Sequence, residues 1–238
     1  MRPVKQTKAR RILRFFVAAV IVLFLFSIAE VLLVRLVDPP FTTSMVYNWL
    51  CSETTAKQER LWPEQRWKPI QEISSHLIRA VQAAEDQKFV VHHGFDFDEM
   101  NRALDDLRTG KRVRGASTIS MQVARTVFLW PSRSLLRKSL EAYYTLLVEA
   151  LWDKRRILEV YLNTVDWGIG IAGAEAAARK YFRVSASSLS PPQAALLAAV
   201  LPSPHTWSPV DPSEFVRERQ RRIMADMEKM PAGRFRRR

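Results

Sequence analysis

The chain has 238 residues, 47% of them hydrophobic, with 37 Lys and Arg against 24 Asp and Glu. That is enough for one sizeable domain with an appendage, and it does not demand two domains. The net charge of +13 calls for an anionic partner: nucleic acid, an anionic membrane surface or a phosphate-bearing substrate. A single cysteine, Cys51, excludes an internal disulfide and is expected to be a small buried hydrophobe.

Residues 1–14 form a basic tail, with Arg2, Lys5, Lys8, Arg10, Arg11 and Arg14 and no acid. Residues 15–37, FFVAAVIVLFLFSIAEVLLVRLV, are long and apolar enough to cross a bilayer, which takes about 20 residues. Glu30 and Arg35 fall in the outer half, where polar heads reach the interface. The positive-inside rule puts the N-terminus in the cytoplasm and residue 38 onward outside. Ser27-Ile28-Ala29 resembles a signal-peptide cleavage site, but apolar residues resume from Val31 to Val37, which favours an uncleaved anchor. Either way the rest of the chain is exported, and no nucleic acid is expected as partner.

Asp38-Pro39-Pro40 ends this segment, because proline stops a helix. Residues 38–68 show no clean period and read as a connector, with a short membrane-surface helix at Met45–Leu50. Seven glycines and many Ala, Leu, Glu and Arg residues favour helix over sheet. Apolar residues at Ile73, Leu77, Ile78, Val81 and Ala84 predict a helix over Ile70–Asp86. Further helices are expected at Phe97–Leu107, Thr118–Leu129, Ser134–Trp152, Lys154–Leu162, 173–182 and 191–200. Thr109-Gly110 is a turn. No alternating run is long enough for a sheet, so the fold class is all-α. Residues 69–215 form the main domain, and 216–238 a C-terminal helix and tail ending in the basic run Arg234–Arg238.

Three stretches carry chemistry. In AEDQKFVVHHGFD, residues 84–96, His92 and His93 are adjacent and point apart, so a histidine-held metal is not expected. Glu85, Phe89 and His92, spaced i, i+4 and i+7, would share one helix face, with Asp86 elsewhere. An acid at a helix C-terminus opposes the macrodipole, so Glu85 is either a solvated helix-end acid or a partly buried base with a raised pKa. In GASTISMQ, residues 115–122, Ser117 is the expected N-cap, Gly115 lets a ligand approach, and the helix N-terminus suits a phosphate. Lys111, Arg112 and Arg114 precede it and Arg125 follows. Finally, Arg133, Arg137, Glu141, Thr145 and Glu149 recur every four residues along an otherwise apolar helix. That stripe is either an exposed face of ion pairs or the wall of a cleft, with Glu141 beside Arg137 and Lys138. Paired acids with a cation cluster on an exported helical domain suggest glycosyl chemistry. GIGIAG, residues 168–173, matches a dinucleotide-binding pattern, but it follows a helix and lacks parallel strands, so that reading is rejected.

Residues 60–215 resemble the family 51 peptidoglycan glycosyltransferases, most closely the monofunctional biosynthetic kind. Five motifs occur in order: Glu85-Asp86 with Phe89, His92 and Gly94; Gly115 to Ser120 with Gln122; Arg137-Lys138 with Glu141; Lys154 with Ile157-Leu158-Glu159 and Tyr161-Leu162-Asn163; and Gly173 with Ala176-Ala177 and Tyr181-Phe182. The resemblance implies a lysozyme-like domain with a membrane-facing lobe, polymerising lipid II into β-1,4-linked glycan strands with inversion at MurNAc C1 and release of undecaprenyl pyrophosphate. It implies Glu85 as general base and Glu141 as the second catalytic acid, positioning donor groups or a divalent cation, magnesium or manganese. Arg125, Arg133, Arg137 and Lys138 would hold the pyrophosphate. Ser117, Thr118 and Gln122 would contact the donor, and Asp86, Phe89 and His92 would shape the cleft. It places the chain in the bacterial inner membrane as a single-pass protein with a periplasmic catalytic domain. Lipid II, the growing glycan strand and membrane lipid are the implied partners, together with cell-wall synthases and division proteins. Two departures stand out: Met121 replaces the first of two usual glutamines, and Arg125-Thr126 replaces Lys-Asn. The chain stops soon after the motifs, so no transpeptidase domain is expected. A lysozyme-like hydrolase or lytic transglycosylase and a non-catalytic membrane scaffold are the rival readings.

Overall fold

The structure, a computed structural model, describes residues 4–51, 62–110 and 115–230. The basic residues Lys111, Arg112, Arg114 and the tail Arg234–Arg238 lie outside the described residues. The helices are α1 (Val4–Leu36), α2 (Thr43–Cys51), α3 (Ser75–Glu85), α4 (Phe97–Arg108), α5 (Ile119–Phe128), α6 (Leu135–Leu151), α7 (Lys154–Thr164), α8 (Ala174–Phe182), α9 (Pro191–Val200) and α10 (Glu214–Lys229). Three short strands are β1 (Glu64–Gln65), β2 (Asp166–Gly168) and β3 (Ile171–Ala172). The chain divides into two compact units, Met1–Pro39 and Pro40–Arg238.

The first unit is α1. Its 33 residues span about 50 Å at the α-helical rise, and the stretch Arg10–Leu36 is long and apolar enough to cross a membrane. Phe15, Leu23 and Phe26 are exposed. A helix that is apolar all round suits lipid.

In the second unit α9 is a deeply packed helix. Ala194, Ala195 and Leu197–Val200 are all buried. Ser190 and Gln193 form a capping box, and Pro191 sits in the first turn, where its missing N–H costs nothing. α9 packs against α3 and α10, and α5 packs against α6, α7 and α2. The C-terminal helix, capped by Ser213, begins at Glu214, two residues before the expected 216, and buries Val216, Ile223 and Met227.

The all-α class holds, and beside the helices the structure adds one small sheet that the sequence reading did not include. β3 pairs in parallel with β1 and antiparallel with β2, in the order β1-β3-β2. Strands of two or three residues are too short to show a period of two. β1 belongs to the stretch read as a connector. Beside it, Asn163 at the end of α7 accepts from the Lys68 amide at 2.8 Å and donates to the Lys68 carbonyl at 2.9 Å. Cys51 is exposed and not buried, because it is the last residue of α2, a helix whose buried side chain is Met45.

On α6 the structure decides between the two readings of the polar stripe. Its polar stripe is the inner face: Glu141 and Thr145 are buried with Val148, whereas Leu135 is 88% exposed and Leu136 and Leu146 are exposed too. The inward of the two readings, with Glu141 beside Arg137 and Lys138, is the one observed.

GIGIAG forms the β2–β3 hairpin and the entry to α8, with Gly168, Gly170 and Gly173 all at positive φ. A Cβ on Gly173 would lie 2.6 Å from the Asn163 carbonyl oxygen. Gly173→Ala should therefore destabilise the protein by about 3 kcal/mol, combining a left-handed φ penalty with a backbone clash. Thermal unfolding in detergent, expected to shift down by roughly 6–12 °C, checks this.

Candidate active site

The site grows from the end of α3. Ser74 caps the start of this helix by accepting from the His76 amide at 3.2 Å. The helix stops at Glu85, since Asp86 is extended, with φ −163 and ψ 80. Phe89 and His92 thus lie in the turns beyond the helix, and the expected shared helical face with Glu85 does not exist. What joins these residues is Asp86. Its side chain is buried and accepts from His92 Nε2 at 3.0 Å on both oxygens and from the Ile119 amide at 3.0 Å. His92 Nδ1 in turn accepts from the Gly94 amide at 3.1 Å. With Nδ1 accepting, the neutral ring carries its proton on Nε2 and donates it to Asp86.

Asp86 and Thr118 together build the start of α5. The N-cap is Thr118 and not Ser117: its Oγ1 accepts from the Met121 amide at 3.2 Å and donates to the Gly94 carbonyl at 2.6 Å. Thr118 is buried and Ser117 only partly so. Both are good cap residues, so the choice between adjacent ones depended on tertiary contacts. Gly94 is at φ +92, and a Cβ there would lie 2.9 Å from Thr145 Cγ2 and 3.2 Å from Glu149 Cγ. The turn therefore rests directly on α6.

Glu85 faces α5 and α10. Gln122 donates from Nε2 to Glu85 Oε2 at 3.0 Å, and Arg219 Nη2 stands 3.6 Å from Oε1. The hydroxyl of Tyr161 donates to Gln122 Oε1 at 3.4 Å, which orients the amide with its NH2 toward Glu85. The Glu85 side chain is only 16% exposed. Burial pushes its carboxyl above the usual glutamate range; the Gln122 hydrogen bond and the charges of Arg219 and Arg125 oppose that rise, while Asp86 adds to it. The same burial, with Glu85 close by, drives the Tyr161 phenol well above its ordinary value. Of the two departures, Met121 is buried, so replacing a polar side chain there does not remove a group from the cleft. Arg125 lines a cavity of about 580 Å³ beside α2 and the β2–β3 hairpin, together with Thr126, Asp166 and His205, and its charge is also felt at Glu85.

A second group of charges lies on α6. Arg137 and Lys138 both donate to Glu141, one to each oxygen, and the Glu141 side chain is fully buried. Glu141 does not suit a magnesium or manganese ion as arranged. Both oxygens already serve fixed cations, and among the described residues no group of three His, Cys, Asp or Glu side chains could hold a metal. One turn of helix further on, the Thr145 hydroxyl donates to the Glu141 carbonyl at 2.6 Å. Below that, Glu149 accepts from Ser120 and, at 2.7 Å, from Lys154. The Lys154 ammonium also sits 4.5 Å from the centre of the buried Phe89 ring.

Glu85, Asp86, Phe89, His92, Thr118 and Gln122 are thus brought into one continuous network. Arg137, Lys138 and Glu141 form a second cluster, and among the described residues no hydrogen bond joins Glu141 to Glu85. Arg133 is exposed in the segment before α6. Sequence reasoning missed Arg219, Tyr161 and the Ser120–Glu149–Lys154 group as site residues. Glu149 carried a signal as the last member of the stripe. Arg219 carried none, because it lies in a run of arginines and acids that reads as an ordinary ion-paired face. Thr118→Val should cost about 2 kcal/mol by removing a cap and a buried hydrogen bond, whereas Ser117→Ala should stay within about 0.5 kcal/mol; denaturant unfolding of the two variants checks the assignment of the cap.

Comparison with known proteins gives the family. The transglycosylase family profile matches residues 52–228. A biosynthetic peptidoglycan transglycosylase from Pseudomonas fluorescens is 49% identical over 210 residues, covering 88% of this chain and 87% of its own. One from Caulobacter vibrioides is 45% identical over 215 residues, covering 90% of each chain. One from Chromohalobacter salexigens is 46% identical over 221 residues, covering 93% and 94%. With a profile match that takes in both carboxylate clusters and relatives aligned over nearly their whole length, the chain belongs to the transglycosylase family, as a peptidoglycan transglycosylase.

Proposed function

We propose that this protein polymerises lipid II into β-1,4-linked glycan strands, with Glu85 as the general base. The observation that carries this reading is the Glu85 carboxylate itself: it is partly desolvated, fixed by Gln122 and raised in pKa by burial, in a chain that belongs to the peptidoglycan transglycosylases. A base in that state suits abstraction of a hydroxyl proton near neutral pH. Glu85 takes the proton of the acceptor's 4-hydroxyl as that oxygen attacks C1 of the donor MurNAc. The new O4–C1 bond forms from the face opposite the departing oxygen, so C1 inverts. The bond from C1 to the pyrophosphate breaks, and its electron pair leaves on undecaprenyl pyrophosphate.

The leaving group is anionic and gains charge in the transition state, which nearby cations stabilise. Arg137 and Lys138 meet this need. Glu141 neutralises one of their two charges and fixes both head groups; a net positive charge remains, and Lys138 stays half exposed to reach a phosphate. Arg125 and Arg133 add to this field, and Ser117 and Gln122 line the donor side, while buried Thr118 holds the start of α5 in place. α1 anchors the chain in the bacterial inner membrane with its basic end in the cytoplasm, which delivers the catalytic unit to a membrane-bound substrate.

The test is a lipid II polymerisation assay in detergent. Glu85→Gln should reduce muramidase-sensitive polymer at least about 100-fold, and full activity in that variant would sink the assignment. The activity of the parent protein should rise with pH through an acid limb above 4.5, the ordinary glutamate value, because only ionised Glu85 accepts the proton; a limb at or below that value would show that some other group controls the rate.

A further inference from the structure

We propose that Arg219, on α10, is a positioning residue for Glu85: its guanidinium supplies a fixed positive charge on the Oε1 side of the carboxylate while Gln122 holds Oε2. The proposal rests on reading Glu85 as the base. α10 carries four other arginine or lysine side chains that do something different. Arg221 and Arg222 pair with Glu214 and Glu218, Lys229 pairs with Asp226, and Arg217 donates to the Pro212 carbonyl. Arg219 instead turns inward. Its side chain is 30% exposed, and its Nε donates to the Ala199 carbonyl at 3.2 Å. That bond fastens the guanidinium to the end of α9, so its charge cannot wander with the long side chain.

The distance is informative. At 3.6 Å from Oε1, Arg219 is beyond the 2.7–2.9 Å of a charge-assisted hydrogen bond. It exerts Coulombic attraction without taking the lone pair that the acceptor hydroxyl needs. Gln122, at 3.0 Å, takes the other oxygen and fixes the plane of the carboxylate. The charged groups that act on Glu85 are Asp86 beside it, Arg125 on α5 and Arg219 on α10, with the Tyr161 phenol of α7 behind Gln122. Asp86 opposes ionisation, and Arg219 outranks Arg125 among the charges that favour it. A polymerising enzyme must also lose the captured proton before each new bond. A cation that favours the ionised form assists this reset, while lowering the basicity available for the capture itself.

The experiment uses the full chain in detergent with lipid II as substrate, comparing the parent protein with Arg219→Met, Arg219→Gln, Arg219→Lys and Glu85→Gln, and reading kcat and KM against pH. Removing the positive charge raises the pKa of Glu85, so Arg219→Met and Arg219→Gln should move the acid limb up by about one pH unit. Below that limb kcat falls about tenfold, while KM stays within about twofold. Arg219→Lys should restore most of the shift. Arg219→Gln keeps a donor for the Ala199 carbonyl, so it supplies the result if the methionine variant fails to fold, as judged by thermal unfolding. An unmoved acid limb, or a raised KM with the limb unmoved, overturns the proposal, the latter by making Arg219 a lipid contact. Polymer from Glu85→Gln would instead overturn the reading of Glu85, whatever Arg219 does.

Discussion

The geometry of this protein's cleft hangs on the carboxylate of Asp86. It accepts from the His92 ring and from the first amide of α5, and so ties the end of one helix to the beginning of another. A helix N-terminus has unpaired amides and a partial positive charge, and a buried anion is a strong partner for both. Because α3 ends where α5 starts, Glu85 and Gln122 are left facing each other. Thr118 closes the same junction from the other side by bonding the Gly94 carbonyl. The turn between them then has no freedom to drift.

A second constraint follows from the inversion of α6. Most helices bury their leucines, but this one buries Glu141 and Thr145, with Glu149 close behind them. Burying carboxylates is costly unless each is matched, and each is: Glu141 by Arg137 and Lys138, Glu149 by Lys154 and Ser120. The arrangement stacks charges along one face, so the cations that would meet a phosphate are held by acids that never reach it. The Lys154 ammonium over the Phe89 ring links this stack to the turn that carries His92.

Much of this was legible in the sequence. The helices from α3 to α9 lie close to where the sequence placed them, and the motif residues Glu85, Asp86, Gln122, Arg137 and Glu141 could be named in advance. Three kinds of feature could not. The break after Glu85 depends on Asp86 finding partners 6 and 33 residues away, so local periodicity extended the helix too far. The sheet is made of strands too short to carry a pattern, paired across more than 100 residues. Arg219 looks like its neighbours until α10 is packed on α9. The Asp86–Ile119, β1–β3 and Arg219–Ala199 contacts are distant in sequence, and no short window along the chain contains them.

The inside-out helix also decides what the second unit would be on its own. Leu135, Leu136 and Leu146 on α6 are exposed, as are Phe97, Leu104 and Leu107 on α4, a helix with no buried residue. Patches of this kind are rare on proteins that live freely in water and mark surfaces that meet lipid or another protein. Deleting α1 would therefore leave the second unit still showing these large apolar side chains to its surroundings.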